Sequence, residues 1–310
     1  MELSAGELKF KWIENWAKLP SMTGFSHHGF VLSKDGNLIT GHATEPRILT
    51  LSTDGDLLKE VCPPVETTHG ICLSVEGDNE FLWIADIDGQ QVVKCTMEGE
   101  LLHKITKDDL GYSGEDNFKP TTLAVDSENQ MIWITDGYSS GKIFGLNFDY
   151  KLIKTIDGSD GVGKFNCPHW VFIDTRKEKN ELYVADRASN RVQIYDAKGN
   201  YLRAIDDGTL ETPSVFSTFG NYMVIGELNA RLVILDINDK LVGYLGDGKH
   251  HVQKEGWPNR KDAEGVTICP LDDIPVGEFN SPHGMVADKD GNIYVSEWLL
   301  GDRFTKLQAV

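Results

Sequence analysis

The sequence predicts an all-β fold, a six-bladed β-propeller. Three observations predict it. A repeat unit occurs six times, with first strands beginning near Gly29, Gly70, Thr122, Trp170, Val215 and Gly284, and periods of roughly 40–50 residues are typical of propeller blades. Each copy reads as short apolar runs separated by Gly- or Asp-containing turns, the pattern of antiparallel hairpins. No stretch carries a sustained helical period, because the turn punctuation is too dense.

The elements of a copy follow in order. An apolar first strand leads through an acidic or glycine turn to a second, as in "LWIAD", "IWITD", "LYVAD" and "IYVSE". A third strand follows, such as "RILTLS", "QVVKCT", "KIFGLN", "RVQIYD" or "RLVILD", and then a fourth, such as "LLKEV", "YLRAI" or "LVGYL". Four strands make one blade, and six blades without a linker make residues 1–310 one domain. The last copy ends after three strands, while "LKFKWIENWAKL" precedes the first copy without a blade of its own. That segment is expected to supply the missing outer strand of blade six, burying edges that would otherwise invite aggregation. An amphipathic helix is the competing reading. The connection from Gly246 to Phe279 is longer than any other and reads as a binding loop or lid over one end.

Composition narrows the function classes. A 40% hydrophobic and 25% charged chain has the makeup of an ordinary globular protein, which argues against disorder. The net charge of −18 argues against nucleic acid and anionic membrane surfaces as partners. The five cysteines, Cys62, Cys72, Cys95, Cys167 and Cys269, are odd in number and lack CxxC spacing. They are expected to be reduced and mostly buried rather than zinc ligands or disulfides. No apolar run is long enough to span a membrane, and the N-terminus has no signal-peptide pattern, so a cytoplasmic location is the default expectation.

Histidines carry the chemistry. His28, His69, His169 and His283 stand just before or at the first strand of blades one, two, four and six, where Thr121 and Ser214 hold the matching places in blades three and five. First strands line the central channel, so these positions form a ring. Blades two, four and six are about 120° apart in a six-bladed ring. His69, His169 and His283 are thus expected to converge on the axis and bind one metal ion, with a coordination position left for substrate or water. Zinc is the first expectation; iron, manganese, cobalt and nickel also suit imidazole. His28 is expected to be a fourth ligand or a proton-transfer group. The alternative is a set of hydrogen-bonded channel residues inherited from one ancestral blade.

A second ring closes the second strands: Asp86, Asp136, Asp186 and Glu297. Most are expected to tie down inter-strand turns. Beyond them stand Tyr138 in "TDGYSSGKI" and Arg187 in "ADRASNRVQ", with His42 at a similar level in blade one. Facing the channel, Tyr138 could act as a general acid/base and Arg187 could clamp a carboxylate through paired hydrogen bonds. As surface turn residues they would do neither.

The repeats are similar to the NHL type, and "FNSPHG", "FNCPHW" and "VADRASNRVQIY" resemble the catalytic domain of the peptidyl-α-hydroxyglycine α-amidating lyase family. The resemblance implies a zinc on three histidines, here His69, His169 and His283. It implies catalytic roles for Tyr138 and Arg187, and cleavage of a carbinolamide C–N bond to an amide and glyoxylate. Three departures stand out. Gly284 replaces an aspartate that helps hold a structural calcium in the family, Ala43 stands where an arginine follows a blade-one histidine, and His28 is additional. The expected function is a metal-dependent lyase acting on a small carboxylate-bearing hydroxy substrate, with no obligatory protein partner. A lactonase-like hydrolase and a non-catalytic ligand- or protein-binding propeller are the alternatives.

Overall fold

The second strand of each blade is apolar along its length because neighbouring blades cover both its faces. In Met131–Asp136 and Glu181–Asp186 every residue but the first is buried. Outer strands such as Leu57–Val61 and Leu152–Ile156 alternate instead, since water reaches one face. The structure is a computed structural model and describes residues 1–19, 23–26, 28–113, 117–269, 273–301 and 303–310. Six antiparallel sheets surround one axis. Their innermost strands are Phe30–Leu32, Gly70–Glu76, Thr122–Asp126, Pro168–Asp174, Pro213–Phe219 and Pro282–Ala287, each touching the next, with the last against the first. The predicted strand starts agree with these to within two residues.

Outer turns share one device. Asp196 accepts hydrogen bonds from the backbone N–H groups of Lys198 and Asn200, both at 2.9 Å, and Asp288 does the same for Asp290 and Asn292. A short acidic side chain that folds back on its own backbone favours a turn over a continued strand.

Closure of the ring runs through the N-terminus, as expected. Leu8–Ile13 pairs antiparallel with Phe304–Ala309, placing Trp12 opposite Leu307. Strand pairing stops at Ile13. Asn15 takes a left-handed conformation (φ 47) and the Trp16 indole donates to Thr53 O at 2.8 Å, so neither a helix nor a longer strand forms there. Glu2–Ala5 adds an unforeseen fifth strand outside Leu8–Ile13. Trp12 packs on Phe279 with ring centroids 4.7 Å apart, which ties the closing strand to the end of the long connection. Gly246, where that connection begins, has φ +64, and an added Cβ would lie 2.4 Å from the Phe279 ring. Only glycine meets both constraints.

The connection contains the 3-10 turn Lys249–His251 and a short hairpin pairing Arg260–Lys261 with Thr267–Ile268. Its Trp257 indole donates to Asn280 O at 3.0 Å, and the Asn280 amide returns a 2.7 Å bond to Pro258 O. It is thereby fixed beside the strand that carries His283. None of the five cysteines is disulfide-bonded, but the expectation that most are buried is corrected. Only Cys95 is fully enclosed; Cys62 is exposed because it follows the outer strand of blade one, which faces water. Among the described residues no helix is long and apolar enough to cross a membrane.

Candidate metal centre

Each histidine stands at the mouth of an innermost strand, and a carboxylate fixes that mouth. Asp86 accepts from the N–H groups of Glu66 (3.1 Å) and Thr67 (2.9 Å), just before His69. Asp186 accepts from Asn166 N at 2.6 Å, just before His169, and pairs with Arg191 at 2.7 Å. Glu297 accepts from Asn280 N (2.5 Å) and Ser281 N (2.9 Å), just before His283, and pairs with Arg303 at 2.8 Å. Asp136 holds Lys119 N in blade three at 2.8 Å. Carboxylate-to-backbone bonds of this kind are charge-assisted and stronger than neutral ones. The second ring therefore positions the first. Sequence reading missed its blade-five member, Glu227, which holds Glu211 N; the final acid of "YMVIGE" was the available signal. Burial holds the Asp186 and Glu227 carboxyls above their ordinary range, and hydrogen bonds from Arg191 and Arg231 offset only part of that rise.

A β-bulge then turns two of the imidazoles. Pairing registers shift between Pro168 and Trp170 and between Pro282 and Gly284, leaving His169 and His283 as the extra residues. The same shift at Pro213 and Val215 frees Ser214. Proline donates no ladder hydrogen bond, which favours a bulge, and a bulge re-aims the extra side chain.

His69, His169 and His283 meet as a cluster whose ligand atoms all lie within 4.8 Å of one another. Their ring centroids are 4.6 to 5.2 Å apart and their planes nearly perpendicular. All three are buried. His69 Nδ1 lies 2.6 Å from Thr121 O and His169 Nδ1 2.8 Å from Ser214 O. A carbonyl only accepts, so each Nδ1 carries the proton and each Nε2 presents a lone pair. The two blades without a channel histidine thus orient the rings of blades two and four. Three converging imidazoles, two of them braced by carbonyls, are the donor set of a zinc-like ion, and the residues fit such a metal.

Tyr138 and Arg187 are not plain surface residues. The Tyr138 hydroxyl is 3.0 Å from His169 Nε2 and 3.4 Å from His69 Nε2. Arg187 Nη1 reaches that hydroxyl at 3.5 Å, and Nη2 donates to Cys167 Sγ at 3.3 Å. One edge of the Tyr138 ring is exposed, but its hydroxyl is enclosed by these groups. Burial pushes the phenol pKa up and the Arg187 charge opposes it. Cys167, in a left-handed conformation (φ 62), is a neighbour that sequence reading did not single out.

His28 is buried on the same ring but lies outside the three-histidine cluster. Its Nδ1 is 2.5 Å from Thr68 O, so its proton goes to the residue preceding His69. With His42, Thr67 and Thr68 it lines an open cleft of about 300 Å³ between blades one and two. His42 Nδ1 accepts from the N–H groups of Thr44 and Glu45 (3.1 and 3.0 Å) and so shapes the loop on one side of that cleft.

The residues do not fit an axial calcium. A hard cation of that kind takes six to eight oxygen ligands. Beyond the histidines the channel is lined mostly by apolar side chains, among them Phe30, Ile71, Leu123, Trp170, Phe216 and Met285, with no carboxylate among its described lining residues. Trp170 of blade four reaches across to Gly29 of blade one, where a Cβ would lie 3.0 Å from its ring. At Gly284 a Cβ would fall 1.9 Å from His28 O, a backbone atom. Gly284→Ala should therefore destabilise the fold by about 2 kcal/mol or more, within the range for overpacking. Urea unfolding of the variant checks this; an unchanged midpoint would show that the His28 backbone yields freely.

No protein-family model matches the chain. It is 31% identical over 205 residues to NHL repeat-containing protein 3 of Mus musculus, covering 61% of this chain and 58% of that protein. The chain thus matches less than two thirds of that relative's length. It is 25% identical over 239 residues to peptidyl-alpha-hydroxyglycine alpha-amidating lyase 2 of Drosophila melanogaster, covering 74% of this chain and 51% of that one. Against the peptidyl-glycine alpha-amidating monooxygenase of Mus musculus it is 26% identical over 242 residues, covering 74% and 22%. Among solved structures, a streptogramin B lyase matches with a TM-score of 0.62 at 16% identity, covering 99% of this chain and 100% of that one. That likeness bears on the fold alone. The chain is a six-bladed propeller with NHL-repeat homologues and more distant relatives among the amidating lyase domains.

Proposed function

We propose that this propeller is a metal-dependent lyase that cleaves the C–N bond of small N-acyl-α-hydroxyglycine-type carbinolamides. The observation that carries the reading is the Tyr138 hydroxyl meeting the Nε2 atoms of two clustered histidines, with the Arg187 guanidinium beside it. The name of the Drosophila melanogaster lyase relative supports the same chemistry.

A divalent ion held by His69, His169 and His283, with zinc preferred, would supply Lewis acidity to the substrate hydroxyl. The protein's own groups do the rest. Arg187 binds the substrate carboxylate through two parallel hydrogen bonds and so fixes the reacting carbon near Tyr138. Tyr138 acts as the phenolate, the form that the Arg187 charge favours, and takes the hydroxyl proton. The oxygen's electron pair forms the aldehyde C=O bond, the C–N bond breaks, and Tyr138 returns the proton to the departing amide nitrogen. The products are a primary amide and glyoxylate, with no net proton uptake. Tyr138 is assigned this role ahead of His28, whose Nδ1 proton is engaged by Thr68 O. The cleft between blades one and two takes the acyl portion.

The test is incubation of zinc-loaded protein with an N-acyl-α-hydroxyglycine and detection of glyoxylate. None above the uncatalysed rate overturns the reading. Arg187→Ala should lower kcat/KM by about a hundredfold, the order expected for losing a charge-assisted bidentate contact. With a carbinolamide lacking the carboxylate, wild type and variant should react alike. A deficit that persists there would assign Arg187 a structural role instead.

A further inference from the structure

We propose that His250, His251 and Glu278 form a second divalent-metal site, one that clips together the two ends of the connection between blades five and six. The cluster is separate from the channel and is used by nothing described above. His250 and His251 are consecutive residues around the 3-10 turn Lys249–His251, yet their rings lie 4.0 Å apart at an interplanar angle of 40°. Both turn Nε2 to the same carboxylate oxygen, Glu278 Oε2, at 3.4 and 2.9 Å. All three ligand atoms lie within 4.8 Å of one another.

These separations suit a metal. Ligands at roughly 2.1 Å from a tetrahedral zinc stand on the order of 3.3 Å apart, so small adjustments admit the ion. Two imidazoles and one carboxylate select a first-row divalent ion such as zinc over calcium or magnesium. The frame is already built. Glu278 and His251 are 27 residues apart in sequence, but Gly248 N is fixed to Ala230 O and Phe279 N to Gly246 O, each at 2.8 Å. Arg303 Nη1 donates to the Glu278 carbonyl at 2.9 Å. Lys249 is drawn away to Glu211, which keeps its charge off the carboxylate. Lys254 lines the neighbouring crevice with Trp257 and Asn280, and its charge makes this the weaker of the two sites. His251 is buried, whereas His250 is 58% exposed, so the ion enters from solvent on the His250 side.

The experiment is a zinc titration of the full-length chain, without a polyhistidine tag, against a chromophoric chelator. Two equivalents are expected, one tight and one in the micromolar range. His250→Ala should leave one, and because that side chain is exposed the variant retains the fold. His169→Ala should also leave one, the weaker. Added zinc should slow tryptic cleavage at Lys254, Arg260 and Lys261 in the wild type and not in His250→Ala. A second equivalent that survives in both His250→Ala and Glu278→Gln overturns the proposal, as does a wild type whose only equivalent is the one lost in His169→Ala. Loss of the tight axial equivalent alone would instead count against the lyase reading.

Discussion

Replacing His169 by alanine is expected to remove the tightly held metal and to lower carbinolamide cleavage at least about a thousandfold. The magnitude follows from the role. A Lewis acid contributes several kcal/mol to stabilising charge in the transition state, and each 1.36 kcal/mol is a factor of ten. His169 is the most telling of the three ligands because it is fully buried, is aimed by Ser214 O and touches the Tyr138 hydroxyl. Its loss leaves two imidazoles, too few to hold a zinc-like ion tightly. Truncation also takes from Ser214 O the imidazole it holds, at about 1–3 kcal/mol for a buried group left unmet, while the Tyr138 hydroxyl keeps His69 and Arg187. A thermal melt must therefore accompany the metal analysis, and His169→Asn, which keeps a polar side chain in the space, serves as the second variant. Metal content that stays at the wild-type level in both folded variants would remove His169 from the ligand set.

Much of this was legible in the sequence, because a propeller is periodic. Apolar runs and Asp-containing turns fix where strands lie, and equivalent strand positions must share a ring, so His69, His169 and His283 could be placed together from spacing alone. What the repeat does not encode is how one blade meets the next. The carbonyls that orient the imidazoles belong to Thr121 and Ser214, residues that look like gaps in the histidine pattern until neighbouring blades are side by side. The bulges at His169 and His283 were signalled by Pro168 and Pro282, yet a proline before a strand also has commoner meanings. His28 shares the ring position but not the cluster; its Nδ1 is held by Thr68 O, and blade one falls outside the alternate blades two, four and six. Non-repeating parts were the least legible. The strand Glu2–Ala5 forms where Leu8–Ile13 presents an edge, and the second histidine cluster depends on where the excursion from Gly246 to Phe279 returns to the core.

Tyr138→Phe should separate chemistry from binding. The substitution removes one oxygen and leaves the ring, which keeps its place against His69 and His169 with centroids 5.5 and 5.7 Å apart. The three imidazoles are untouched, so metal stoichiometry should equal that of the wild type. Arg187 also remains, its guanidinium carbon 5.4 Å from the ring centroid, so carboxylate binding and KM should change little. What goes is the group to which the proposed mechanism assigns the proton, and general acid–base catalysis of this kind contributes about 10²–10⁴ in rate. The expected result is a fall in kcat of that size at nearly constant KM, measured as glyoxylate release. Cysteine at the same position offers an ionisable group on a shorter arm, and Tyr138→Cys should recover little because its thiol stops short of the enclosed oxygen position. A Tyr138→Phe variant that keeps wild-type kcat would transfer the proton to another group, and His28, with its Nδ1 held by Thr68 O, would be the next to replace.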